Sequence, residues 1–85
     1  MIYIEKRRGF AKRMEISYKN LWKMLIDRDL KKVDLQTAAG LAANTMTRLR
    51  KNEPVSMEVL WRICTVLGCN IEDVVEFVLP KDDFR

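Results

Sequence analysis

From Tyr18 onward the apolar residues recur three and four positions apart, the spacing that lines one face of a 3.6-residue helix. Tyr18, Leu21, Trp22, Leu25 and Ile26 make the first stripe. Ser17 stands where an N-cap belongs, and the helix is expected to end around Arg28–Leu30. A second short helix is predicted from about Lys32 to Ala39, with Leu35, Ala38 and Ala39 inward. Its Asp34 falls in the first turn, where the helix dipole favours an anion. Gly40 stops it, because glycine takes the left-handed C-terminal conformation at little cost. A third helix runs from about Ala43 to Lys51 with Leu41, Met46 and Leu49 on its buried side, and Asn52-Glu53-Pro54 breaks the chain. Ser56 caps a fourth, whose stripe is Leu60, Ile63, Cys64 and Leu67 and which ends at Gly68. Asn70, with Asp73 three residues on, caps a fifth carrying Ile71, Val74, Val75 and Val78, and Pro80 closes it. The pattern reads as an all-α fold, five short helices around one core.

Residues 1–13 (MIYIEKRRGFAKR) do not share this pattern. A short apolar run, Met1 to Ile4, precedes a basic cluster and Gly9. Three readings stay open: a disordered arm, a short strand that pairs with a partner, or sequence upstream of a start at Met14. The expected organisation is a basic extension over 1–13, one domain over 14–79 and a tail over 80–85.

Composition narrows the class. At 85 residues the chain holds one small domain, and 48% apolar content is too high for disorder. No apolar run is long enough to span a membrane, and the charged amino terminus lacks the core of a signal peptide. Histidine is absent, which removes His-based catalysis and the usual Cys/His zinc sites. Cys64 and Cys69 make neither a disulfide framework nor a metal site. Without a nucleophile–base pair or a phosphate-cradling loop, no enzyme is expected, and no cofactor. The expected protein is soluble and cytoplasmic.

The net charge of +4 is unevenly spread. Residues 1–13 hold five basic groups against one acidic, residues 19–52 eight against three, and residues 53–85 three against seven. A basic front with an acidic back favours an oriented encounter with a polyanion.

The stretch Lys32–Lys51, KVDLQTAAGLAANTMTRLRK, places a glycine and a short turn between two short helices. Leu35, Ala39, Leu41, Met46 and Leu49 fall where two helices crossing at roughly 90–120° must touch. The opposite face of the second helix then shows Ala43, Asn44, Thr47, Arg48 and Lys51. That surface is small, polar and basic, of the kind that enters a major groove.

From about Ile16 to Val78 the chain resembles the phage repressor and Cro family of helix-turn-helix DNA-binding proteins, closest to small regulators of the xenobiotic-response-element type. The resemblance rests on Leu35, Ala39, Gly40, Leu41, Met46 and Leu49 in register and on the ending LGCNIEDVVEF. Two positions depart from the family pattern. Gln36 replaces a small residue, so its side chain must escape to solvent. Ala42 replaces a polar cap, forgoing about 1 kcal/mol. The resemblance implies a lambda repressor-like fold with the motif at helices two and three. It also implies sequence-specific binding of double-stranded DNA by a bacterial or phage transcriptional regulator, a repressor acting as a homodimer. By position it assigns base reading to Ala43, Asn44, Thr47 and Arg48. Arginine suits guanine, asparagine adenine, and a methyl group the thymine methyl. It assigns phosphate contacts to Lys31, Lys32, Thr45, Arg50, Lys51 and Asn52.

The remaining residues have plainer readings. Trp22, Trp61 and Cys64 are expected to pack, and Cys69 is a redox candidate only through its place beside Gly68. Glu72, Asp73 and Glu76 follow an N-cap, where the helix dipole explains them. Val75, Phe77, Leu79 and Phe84, or a strand formed by Met1–Ile4, are left for dimerisation. Two other functions stay open: an antitoxin that also represses its operon, and a helical interaction module without DNA binding. No small-molecule effector domain is visible.

Overall fold

The computed structural model describes residues 13–79. Among them are four α-helices, a single 3₁₀ turn and a two-stranded sheet. In chain order these are β1 (Ile16–Ser17), α1 (Lys19–Asp27), α2 (Lys32–Ala39), α3 (Ala43–Arg50), α4 (Met57–Leu67), the 3₁₀ turn Ile71–Asp73, and β2 (Glu76–Phe77).

All four helices stop in the same way. One residue takes the left-handed conformation, and the next donates its backbone N–H to the carbonyl five residues earlier. Gly40 (φ +66) and Gly68 (φ +65) do this after α2 and α4, followed by Leu41 N–H to Gln36 O (2.9 Å) and Cys69 N–H to Cys64 O (3.1 Å). Asp29 and Asn52, both at φ 58, do it after α1 and α3, followed by Leu30 N–H to Leu25 O (2.8 Å) and Glu53 N–H to Arg48 O (2.9 Å). Aspartate and asparagine tolerate this region better than other side chains bearing a Cβ.

The starts differ more. Ser56 caps α4 through its hydroxyl, which accepts the Val59 N–H at 3.1 Å. Ala42, at the start of α3, offers no side-chain acceptor. At α2 the Asp34 carboxylate accepts the Lys31 N–H (2.8 Å), which is half of a capping box, since an ammonium has no lone pair to complete it. Ser17 lies one residue before the N-cap position, which Tyr18 takes, and its hydroxyl accepts the Lys19 N–H at 3.2 Å.

The expected fifth helix is corrected. Asn70 and Asp73 form their reciprocal cap, but only the 3₁₀ turn follows. The chain then extends as β2, antiparallel to β1, with Ile16 opposite Phe77 and Ser17 opposite Glu76. Val74-Val75-Glu76-Phe77-Val78 is β-branched and aromatic, a composition that suits a pleated ladder better than another helical turn. The edge of β1 supplies the partner, and Val78 N–H reaches Glu15 O at 2.8 Å. The fold is therefore mostly helical rather than all-α.

The core collects Tyr18, Leu21 and Leu25 from the first segment, Leu35, Ala39 and Leu41 around α2, Met46 and Leu49 from α3, Leu60, Ile63 and Leu67 from α4, and Ile16 and Val74 from the sheet side. No polar or charged residue is buried among the described residues. Five expected inward positions face out: Ile26 (72% exposed), Ala38, Trp61 (66% exposed), Ile71 and Val78. The stripes are narrower than the sequence suggests, because each short helix meets the core along one line. Trp22 and Cys64 do pack against the core, both half-buried. Among the described residues no helix is long and apolar enough to cross a membrane. Residues 1–12 and 80–85, and with them the Met1–Ile4 strand, Pro80 and Phe84, lie outside the described residues.

Candidate nucleic-acid interface

α3 is held by two side chains. Met46 and Leu49 are 2% and 0% exposed, and at about 100° per residue they turn Asn44, Arg48 and Lys51 to the far side. Those three, with Ala43 and Arg50, are exposed, whereas Thr45 and Thr47 are half-buried on the flanks. The Thr47 hydroxyl donates back to Ala43 O (3.2 Å) and lies 3.4 Å from the Arg50 Nη2 donor. Its methyl and one remaining lone pair are what it offers outward.

Among the described residues the sole ion pair is Arg62–Glu58, at 2.9 Å. Arg48, Arg50 and Lys51 thus have no carboxylate partner there, and their charge projects from the α3 surface. Asn44, Thr45 and Arg48 border a cleft of about 390 Å³ whose other wall is Pro54, Val55, Ser56 and Val59. The structure brings these three predicted residues together. Lys31 and Lys32 stand apart, exposed at the start of α2, and Lys32 Nζ lies 4.5 Å from the centre of the Trp22 ring. That cation–π contact orients the lysine on a half-buried indole.

Asn52 has a structural task as well as an exposed position. Its Oδ1 accepts the Tyr18 backbone N–H at 3.1 Å, leaving its amide N–H₂ free to face outward. The Tyr18 hydroxyl donates to Glu53 O at 2.8 Å. Burial pushes the Tyr18 phenol above its ordinary pKa, while the backbone N–H of Val55 draws it partly back.

Sequence reasoning missed three holding contacts. Arg62 Nη1 donates to Gly40 O (3.2 Å) and Nη2 to Glu58 (2.9 Å), so α4 grips the turn between α2 and α3. The Glu58–Arg62 spacing of four was a readable signal, but its reach to Gly40 was not. Arg28 donates to Leu67 O, joining the end of α1 to the end of α4. Tyr18 was read as core alone.

A family model for the Cro/C1-type helix-turn-helix DNA-binding domain matches residues 20–80. The chain belongs to this family. A solved structure, that of the transcriptional regulator VanUg in its crystal form II, shares 41% identity with a TM-score of 0.79. The match covers 88% of this chain and all of that one. No curated protein matches.

Within this Cro/C1-type domain, α2 and α3 are the helix-turn-helix and Gly40 is the residue at its turn. The matched span holds all but the first residue of α1, the other three helices and β2. Cys64 and Cys69 are free and half-buried. Burial pushes the Cys64 thiol up, and the Cys69 thiol and Asp73 add to this, a setting that suppresses thiolate chemistry.

Proposed function

We propose that the protein is a sequence-specific repressor of transcription that lays α3 in the major groove of double-stranded DNA. The observation that carries this is the outward face of α3. Two buried anchors fix the helix, while Asn44, Arg48 and Lys51 stand exposed on its far side without a carboxylate partner among the described residues. Arg48 donates two bonds to a guanine edge, Asn44 pairs with adenine, and Ala43 packs on a thymine methyl, with Thr47 beside them. Lys31, Lys32, Thr45, Arg50, Lys51 and the free amide of Asn52 take phosphates and set register. Residues 14–79 form the binding unit. It works in the cytoplasm, without a catalytic step or cofactor.

The active form is a homodimer on half-sites about one helical turn apart. Phe77 and Leu79, 69% and 62% exposed, together with Val75 give it an apolar surface on the side of β2. The resemblance to a transcriptional regulator supports the regulatory role.

The test is a titration of the protein and its Arg48→Ala variant on a duplex selected from a randomised pool and on a scrambled duplex, at two salt concentrations. Arg48→Ala should cost about 1–3 kcal/mol on the selected duplex and little on the scrambled one. Weak binding indifferent to sequence and to Arg48 would sink base readout and leave only a generic basic surface.

A further inference from the structure

Among the residues of the core, Tyr18 carries a hydroxyl, and that hydroxyl leaves the core to hold the loop after α3. The residue is 1% exposed. Its phenol donates to Glu53 O at 2.8 Å and its backbone N–H to Asn52 Oδ1 at 3.1 Å, so two adjacent loop residues are tied to the start of α1. The next residues, Pro54 and Val55, form the wall of the cleft facing Asn44, Thr45 and Arg48. The loop is also fastened to α3 itself, through Glu53 N–H to Arg48 O at 2.9 Å. Packing does not need the oxygen, because a phenylalanine ring fills the same space. The hydroxyl is spent on the position of the loop.

We infer that Tyr18 is a positioning residue for sequence readout: its phenol fixes the 52–55 loop against the recognition helix, so that discrimination between DNA sequences depends on a hydroxyl buried in the core. The inference rests on the DNA-binding role proposed above. Its logic is a difference in tolerance. Base-edge hydrogen bonds require side chains held to within about 0.5 Å, whereas attraction to phosphates is long-ranged and forgiving. Loosening the loop should therefore cost matched binding and spare unmatched binding.

The experiment compares the full chain with its Tyr18→Phe variant, well below their melting temperatures. Affinity is measured on the selected and scrambled duplexes over a salt series, and amide hydrogen exchange on the DNA-free proteins. The expected result is roughly three- to tenfold weaker binding to the selected duplex, the scale of one lost hydrogen bond. Scrambled binding and the salt slope should be unchanged, and exchange at residues 52–55 faster. Asn52→Gly keeps the left-handed turn and removes the second tie. Because it also takes a proposed phosphate contact from both duplexes, it is read by the ratio of selected to scrambled affinity. If Tyr18→Phe folds poorly, that ratio should fall by the same roughly three- to tenfold, and an unchanged ratio overturns the inference. For Tyr18→Phe, equal affinity on the selected duplex, equal weakening on both duplexes, or a flatter salt slope would each overturn the inference. If the parent protein prefers no sequence, the DNA reading itself falls. Exchange then decides the brace separately: faster exchange at 52–55 upholds it, and unchanged exchange removes it too.

Discussion

α4 separates two clefts. The first, of about 390 Å³, lies towards α3 and is bordered by Asn44, Thr45, Arg48 and Ser56 as well as Pro54, Val55 and Val59. The second, of about 200 Å³, lies on the other flank and is lined by Met57, Leu60, Trp61, Cys64, Asn70 and Ile71. One α-helix thus divides a polar, cation-bearing surface from an apolar one. Ile71 also lines a neighbouring cleft with Val75 and Phe77, so the apolar side continues to β2. One wall of the polar cleft stands on a helix held by the buried anchors Met46 and Leu49, and the loop that forms the other is tied by hydrogen bonds. The apolar cleft has large side chains standing free, Met57 71% and Trp61 66% exposed. Polar contacts need directed support and leave a record of it in hydrogen bonds. Apolar contacts need only area, and exposed aromatic area of this kind marks protein surfaces that meet other proteins.

The largest expected effect removes the support of the polar side. Leu49→Ala deletes a fully buried anchor of α3 and should destabilise the domain by about 2–5 kcal/mol, measured by denaturant unfolding. DNA affinity should fall with it. A loss below 1 kcal/mol would mean that α3 is not held by its core contacts. A smaller effect is expected from Ser56→Ala, which takes the cap from α4 at the edge of the polar cleft. That should cost about 1 kcal/mol, with the exchange of the Val59 amide rising in step. Smallest in stability is Trp61→Ser on the apolar side, expected within about 0.5 kcal/mol of the parent. Its signature is elsewhere. Sedimentation at tens of micromolar should show weaker self-association, while affinity for one half-site is kept. The two-sided picture breaks if Trp61→Ser lowers half-site affinity as much as Arg48→Ala does.

The parts of the fold legible in the sequence are those decided within one or two turns of chain. Gly40 and Gly68 mark helix ends because the left-handed residue and its hydrogen bonds are local, and Ser56 and Asn70 mark starts for the same reason. The bounds of α2 came out as Lys32–Ala39, as expected. Asp29 and Asn52 perform the same stop as the two glycines; the sequence placed the ends of these helices, around Arg28–Leu30 and at Asn52-Glu53-Pro54, but not the left-handed residue that makes each of them. The β1–β2 ladder was hidden because Ile16 and Phe77 are far apart in the chain, and no local pattern pairs them. Trp61 and Ile26 misled because a stripe read at helical spacing gives the apolar side of a helix but not how much of it the neighbours cover. At the candidate interface, the exposed residues of α3 were readable once Met46 and Leu49 had been placed inward. The phenol of Tyr18 bonds a carbonyl 35 residues away, and no local pattern encodes that.

The small sheet has a mechanical consequence. Its strands are antiparallel and lie at the two ends of the folded unit, with Ile16 opposite Phe77. The chain enters through Glu15 and leaves through Val78, at the same end of the ladder, where Val78 N–H holds Glu15 O at 2.8 Å. Tension between the two flanking segments therefore unzips the ladder one hydrogen bond at a time instead of shearing all of them together. Under such a load the strands part while the four helices stay packed, and the domain yields first at the place farthest in kind from the surface it offers to DNA.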